Sequence, residues 1–403
     1  MKRRKRYVVI GAGIVGSSIA RELAERGAGD VTVIEKEDHF GEHGSGRNSG
    51  VLHSGINQKP GSMKARMAVE GNRRAREFCE RAGVKIETCG TIVVGRDERE
   101  KSVLRQLLDL GQQAGVEGLR LIDQDELRMR EPSIVADEAL FSPNGAIVDS
   151  TGFLEAVVDD AKRFGAEFVM DASVTAHARR GSSQAVLTTV DAFPADHVIN
   201  AAGLHADTIA HMMGAGLEYI VIPFRGDYLE IDNLLINSMV YQAPDLRYPF
   251  LGVHFTKTVD GEVLAGPTAT LSFGREAYDK RIHVGEALWL ISKMPFWKLI
   301  LSGEFLKLAL YNAKVSFIES AFLDEVRRLG PNVDASDIKP YRSGIRAQMV
   351  DRTGSMVNDL VVEYYPDQTH ILNAVSPGMT SALAFAEVVV DRILAAEREA
   401  KTS

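Results

Sequence analysis

The sequence has little cysteine: Cys79 and Cys89 are the only two in 403 residues. Two cysteines cannot build a disulfide framework or a zinc site, so a reducing compartment is expected and no metal. An excess of positive charge is also lacking. Lys and Arg total 47 against 55 Asp and Glu, for a formal net charge of −8, which excludes a general nucleic-acid binder. No apolar run is long enough to span a bilayer. The basic start Met1-Lys2-Arg3-Arg4-Lys5-Arg6 is followed by an apolar run, but that run ends within a few residues in a glycine turn. A cleaved leader would destroy this turn, so none is expected. Internal repeats and low-complexity segments are missing too. What remains is a globular composition, 45% hydrophobic and 25% charged, with length for two or three domains.

The most informative stretch is at the front. Tyr7-Val8-Val9-Ile10 reads as a buried strand, Gly11-Ala12-Gly13-Ile14-Val15-Gly16 as a G-x-G-x-x-G turn, and Ser17 to Arg26 as a helix. Val31-Thr32-Val33-Ile34 is a second strand that ends on Glu35. Gly11 allows the tight turn, Gly13 lets backbone approach a pyrophosphate, and Gly16 lets the helix pack on the strand. The helix N-terminus offers unpaired N–H groups to the phosphates, and Glu35 can accept from a ribose diol. The pattern predicts dinucleotide binding. By itself it does not separate FAD from NAD.

Residues 39–61 are rich in glycine and small polar groups, as backbone pressed against a ligand would be. Periodicity predicts helices over 64–82, 101–114, 121–130 and 153–164, and strands over 86–95, 168–178, 185–190 and 197–200. The last strand runs into Asn200-Ala201-Ala202-Gly203, a second turn of small residues, which favours FAD over NAD. Residues 219–231 and 240–263 alternate as sheet strands do, with Gly261 at a hairpin turn. Residues 371–374 read as a strand, 381–395 as a helix and 397–403 as a frayed tail. The stretch 288–310 is dense in Trp, Phe and Leu. It is either a helical pair packed on the core or a segment lying on a membrane surface.

The front motif, the Ser49-Gly50-Val51-Leu52-His53 loop and the Asn200-Ala201-Ala202-Gly203 turn resemble FAD-dependent oxidoreductases of the D-amino-acid oxidase type. A narrower resemblance is carried by Gly46-Arg47-Asn48-Ser49-Gly50-Val51-Leu52-His53-Ser54-Gly55-Ile56 and Pro223-Phe224-Arg225-Gly226-Asp227-Tyr228. Pro249-Phe250-Leu251-Gly252-Val253-His254-Phe255-Thr256, Tyr341-Arg342-Ser343-Gly344-Ile345-Arg346-Ala347-Gln348 and Ser376-Pro377-Gly378-Met379-Thr380-Ser381 complete it. These blocks, in this order, are similar to the L-2-hydroxyglutarate dehydrogenase/oxidase family.

The resemblance implies an α/β protein. A discontinuous Rossmann-like FAD-binding domain would take 1–90, 146–215 and 336–403. An inserted mixed-sheet substrate domain would take 91–145 and 216–335. It implies oxidation of L-2-hydroxyglutarate to 2-oxoglutarate, with hydride passing to flavin N5 and electrons going on to a quinone, a dye or oxygen. A cytoplasmic protein is then expected, peripheral on the inner face of the membrane if 288–310 lies there. Alternatives are a related flavin oxidoreductase of glycerol 3-phosphate or an amino acid, an NAD-dependent dehydrogenase, and a non-catalytic nucleotide-binding protein. The cofactor-binding set comprises Gly11, Ala12, Gly13, Ile14, Val15, Gly16, Glu35, Lys36, Arg47, Asn48, Ser49, Gly50, Val51, His53, Val174, Ala201, Ala202, Gly203, Arg346, Pro377, Gly378, Met379 and Thr380.

Oxidising a 2-hydroxy acid needs a cation for the carboxylate, a base for the hydroxyl proton and a C–H bond aimed at the flavin. Arg346 is the expected carboxylate clamp, since guanidinium suits a bidentate grip. Arg225 is either the clamp for the second carboxylate or the partner of nearby Asp227. His53 and His254 compete for the base, and His53 has covalent flavin attachment as a further role. Tyr248 and Tyr341 are candidate substrate contacts or core residues.

Overall fold

The computed structural model describes residues 3–181, 183–244, 252–374 and 376–402. A six-stranded sheet forms around the front motif, in the order Val361–Tyr365, Gln368–Asn373, His197–Asn200, Arg6–Ile10, Asp30–Ile34, Glu167–Val169. Its strands are parallel except the outermost, Val361–Tyr365. Parallel sheets are covered on both faces. Accordingly Val8, Val9, Val33, Val198 and Ile199 are all buried. The helices Ile14–Glu25, Met63–Ala82 and Gly378–Thr402 pack on one another, and their Ile19, Leu23, Met67, Phe385 and Val389 share a core with Tyr7, Val9 and Val33. Ser62 caps the helix Met63–Ala82 by accepting from Ala65 N, and Gly83, in the left-handed region at φ 72°, ends it.

The second large sheet has nine strands. Its order is Thr270–Leu271, Tyr219–Ile231, Val263–Gly266, His254–Lys257, Met239–Gln242, Thr91–Gly95, Glu138–Ser142, Arg120–Asp123, with Ile338–Asp351 paired along Tyr219–Ile231. One face packs Phe141, Val240 and Phe255 against Phe322 and Val326 of the helix Glu319–Arg327. Another core joins Ile220, Ile222 and Phe224 to Leu290, Phe296, Leu299 and Phe305. Each such side chain, fully buried, contributes about 1.5–3 kcal/mol.

Several expectations are corrected. Ile338–Asp351, within the stretch assigned to the FAD-binding domain, is an antiparallel partner of Tyr219–Ile231, and the chain next pairs in the six-stranded sheet at Val361. The single helix expected over 121–130 is the edge strand Arg120–Asp123 followed by the helix Gln124–Arg130. Asp123 makes the break by accepting from Glu126 N. The strand expected over 240–263 is interrupted, although Gly261, at φ 94°, does turn the hairpin between Lys257 and Val263. The tail expected to fray is helical through Thr402, and the Tyr7 hydroxyl holds Glu397 at 2.9 Å. The 288–310 stretch spans three helices, Val284–Ile291, Met294–Ile300 and Gly303–Phe317. Among the described residues no helix is long and apolar enough to cross a membrane.

Candidate functional site

The two small-residue turns meet. A Cβ on Gly11, whose φ is 102°, would lie 2.7 Å from the Ala201 carbonyl oxygen. A Cβ on Gly16 would lie 2.0 Å from the Gly11 oxygen, so the helix sits directly on the turn. Gly13 brings no side-chain cap, and the first turn of Ile14–Glu25 carries no acid. The helix start therefore carries no acid of its own that would compete with an anion. Ser45 Oγ accepts from Ile14 N at 2.9 Å and brings the glycine-rich loop onto that end. Glu35 accepts from Ala12 N and Lys36 N, each at 2.8 Å. Arg342 donates to the carbonyls of Gly46 and Asn48 at 2.9 and 2.7 Å, tying the loop to the nine-stranded sheet. Beside it, a Cβ on Gly344 would lie 2.4 Å from the Arg47 oxygen, so only glycine lets the two segments approach.

These contacts frame one long cavity of about 1430 Å³. Of the expected cofactor residues, Gly11 to Val15, Glu35, Lys36, Arg47, Asn48, Ser49, Val51, His53, Val174, Ala201 to Gly203, Arg346 and Pro377 to Thr380 line it. Gly16 and Gly50 do not; a Cβ on Gly50 would meet the Val148 oxygen at 2.4 Å, so both glycines serve packing.

The inner end of the cavity gathers His53, His254, Arg346, Lys64 and Tyr228. Thr380 Oγ1 accepts from His53 N at 3.0 Å and so links that loop to the helix Gly378–Thr402. Burial pushes His53 down to about 4, with His254 and Lys64 adding to the shift. Burial likewise pushes His254 to about 4, so both imidazoles are neutral at working pH. His254 Nδ1 lies 3.0 Å from the Gly252 carbonyl. A carbonyl only accepts, so Nδ1 carries the proton and Nε2 keeps a lone pair. The His254 ring also stacks on Tyr241, centroids 4.2 Å apart. Burial lowers Arg346 to about 10 while leaving it cationic. Lys64 falls to about 8, first through burial and then through Arg346. Neither Lys64 nor Tyr228 was expected here. The available signal was Asn57-Gln58-Lys59-Pro60-Gly61-Ser62, a polar turn that continues from the glycine-rich loop into a capped helix.

Arg225 lines the cavity but is engaged. Its Nε and Nη2 reach Asp227 Oδ1 at 2.8 and 2.6 Å, and its buried Nη1 has no hydrogen-bond partner among the described residues. The ion pair weighed for it is thus present. Tyr341 does not line the cavity; its hydroxyl donates to Glu262 at 3.1 Å. Tyr248 lies outside the described residues. At the outer end, Lys36 Nζ contacts Glu37, Glu276 at 2.8 Å and His43 at 2.8 Å. Glu37, His43 and Glu276 are close enough to hold a metal ion, but the Lys36 ammonium already supplies their positive partner.

The model of FAD dependent oxidoreductases matches residues 6–392. The chain belongs to that family. Within the family it falls with the L-2-hydroxyglutarate dehydrogenases. The protein of that name from Indibacter alkaliphilus is 34% identical over 95% of this chain and 97% of its own length. The human mitochondrial protein of the same name is 32% identical over 96% of this chain and 88% of its own. The solved structure of dithionite-reduced L-alpha-glycerophosphate oxidase from Mycoplasma pneumoniae with FAD bound has a TM-score of 0.78 at 21% identity. It covers 98% of this chain and 95% of its own and shows the shared fold.

FAD-dependent oxidoreductases must hold a long dianionic nucleotide, and the cavity fits one. The N-terminus of Ile14–Glu25 and Glu35 both line the cavity and would suit a pyrophosphate and a ribose. The helix Gly378–Thr402, also without an acid in its first turn, brings a second positive end to the inner part.

Proposed function

We propose that this chain oxidises L-2-hydroxyglutarate to 2-oxoglutarate. The observation that carries the proposal is the buried Arg346 guanidinium set beside two neutral imidazoles at the inner end of a dinucleotide cavity. The names of its relatives support the choice of acid. Arg346 grips the carboxylate next to the carbinol through two parallel hydrogen bonds. His254 Nε2, or His53 in its place, accepts the hydroxyl proton. The apolar wall formed by Phe224 and Ile345 keeps water from the carbinol carbon. FAD, when bound, supplies the two-electron acceptor for the hydride that leaves that carbon.

The division of labour follows the sheets in part: residues around the six-stranded sheet hold the nucleotide, and the nine-stranded sheet, including 338–351, presents Arg346 and His254 to the substrate. Electrons leave for a quinone, a dye or oxygen. A quinone fits a membrane-surface site on the helices at 284–317, where Leu288, Met294, Trp297, Leu301, Leu306 and Leu310 are exposed. Lys298, Lys307 and Lys314 are exposed among them. Trp with Lys is the pattern of an interfacial segment. Liposome co-sedimentation that is unchanged by W297S with L301S sinks the membrane contact.

The test of the activity is anaerobic bleaching of the flavin by each enantiomer of 2-hydroxyglutarate, by glycerol 3-phosphate and by glycine. Bleaching by the L-hydroxy acid alone is expected. Bleaching by the phosphate or the amine but not the hydroxy acid overturns the proposal.

A further inference from the structure

We propose that Lys64, and not Arg225, holds the distal carboxylate of the diacid and so sets the preference for two carboxylates over one. This rests on the function proposed above. Arg225 gives two of its donors to Asp227, and the pair has no net charge. Lys64 differs in position and in company. It sits in the first turn of Met63–Ala82, immediately after the polar turn 57–62, and that turn also lines the inner cavity. Two fixings hold it there. Asp359 accepts from its backbone N at 2.9 Å, and its Nζ donates to the Asn358 carbonyl at 3.1 Å. The carbonyl satisfies one of the three ammonium donors and leaves the others for a ligand.

The placement of the two cations points the same way. Arg346 comes from the strand Ile338–Asp351, Lys64 from a helix start, His53 from the glycine-rich loop and His254 from the nine-stranded sheet. Asp359 is the acid that faces Lys64. The two cations repel each other in a cavity that both line. A diacid with one carboxylate on Arg346 and the other on the remaining Lys64 donors sets a negative charge beside each cation and offsets that repulsion. A monocarboxylate does so at one cation.

The test compares L-2-hydroxyglutarate with L-2-hydroxypentanoate, which has the same carbon chain without the distal carboxylate. Wild type must first be bleached by L-2-hydroxyglutarate. If it is not, the substrate proposal fails, and this one with it. With that in hand, K64M is expected to raise KM for the diacid about 10- to 100-fold, the loss of a charged hydrogen bond, with kcat and the monoacid little changed. K64R is expected to restore most of the preference. Equal losses on both substrates, or a diacid preference that survives K64M and collapses in R225M, overturns the role of Lys64. Wild type gives a second readout independent of any variant. Between pH 6 and 9 the imidazoles stay neutral and Tyr228 and Arg346 stay protonated, so Lys64 is the one among these groups that titrates. Inhibition by glutarate is therefore expected to weaken above about pH 8 while inhibition by pentanoate holds. Parallel curves for the two inhibitors overturn the proposal as well.

Discussion

Both ends of the cavity are lined with ionisable side chains, and the two ends treat charge in opposite ways. At the outer end Lys36, Glu37, His43, His205 and Glu276 form a network of opposite charges and hydrogen bonds. The hydrogen bond from His205 holds the Glu276 carboxyl far below the usual range against the effect of burial. Burial pulls Lys36 down, yet hydrogen bonds to Glu276 and Glu37 leave it raised. At the inner end burial acts on groups of one kind: Lys64, Arg346, His53 and His254 are all pushed towards their neutral forms. Charges that satisfy one another hold loops together. Cations desolvated in one shared space mark a candidate place for an anion.

The sharpest way to break this contrast is Arg346→Met. Removal of one partner from a desolvated charge pair costs about 2–5 kcal/mol, so kcat/KM for L-2-hydroxyglutarate should fall at least thirtyfold by roughly this measure. Stopped-flow reduction within a few-fold of wild type would mean that the inner charge is not a substrate clamp.

Next in size is the base. Replacement of His254 by Asn is expected to lower the rate of flavin reduction by about 10²–10⁴, the usual contribution of a general base. The larger loss in H53N would give the role to His53 instead. The pH profile separates the two ends further. An imidazole acts as a base only when neutral, and both inner histidines stay neutral down to about pH 4. The acid limb of kcat/KM should therefore fall near pH 4 and not near the ordinary imidazole value of 6.5. A limb at 6.5 would show that burial does not govern these groups.

The smallest effect belongs to the outer end. Glu276→Gln loosens a half-exposed network, worth about 1 kcal/mol after solvent screening. FAD should dissociate a few-fold faster while kcat/KM at saturating FAD stays the same. Fluorescence of released flavin measures the first and steady-state assay the second. A change in kcat/KM would erase the distinction between the ends.

How much of this was legible in the sequence depends on how local each feature is. The front motif keeps its strand, glycines, helix and acid within 35 residues, and the structure assembles it as spaced. Arg346 and the two histidines were reached through resemblance, and the structure brings all three to one end of the cavity. Lys64 looked like any surface charge on an amphipathic helix, because what makes it unusual is contributed by distant Arg346 and Asp359. The strand Ile338–Asp351 was missed for a related reason. Lys339, Pro340, Tyr341 and Arg342 have no strand signature of their own, and their partner Tyr219–Ile231 lies far back in the chain. Strand preference is largely a matter of such neighbours.

The six-stranded sheet takes the first strand, Arg6–Ile10, and one of the last, Gln368–Asn373, with the helix Gly378–Thr402 closing over both. A ribosome therefore delivers the phosphate-facing glycines long before the strand and helix that complete their shelter. During synthesis the nine-stranded sheet has most of its pieces while the nucleotide layer is still open along one edge. Cofactor capture is therefore expected to wait for the end of synthesis, and a chain cut short after Asp351, without Gln368–Asn373 and Gly378–Thr402, is expected to lose its flavin even with every glycine of the front motif intact.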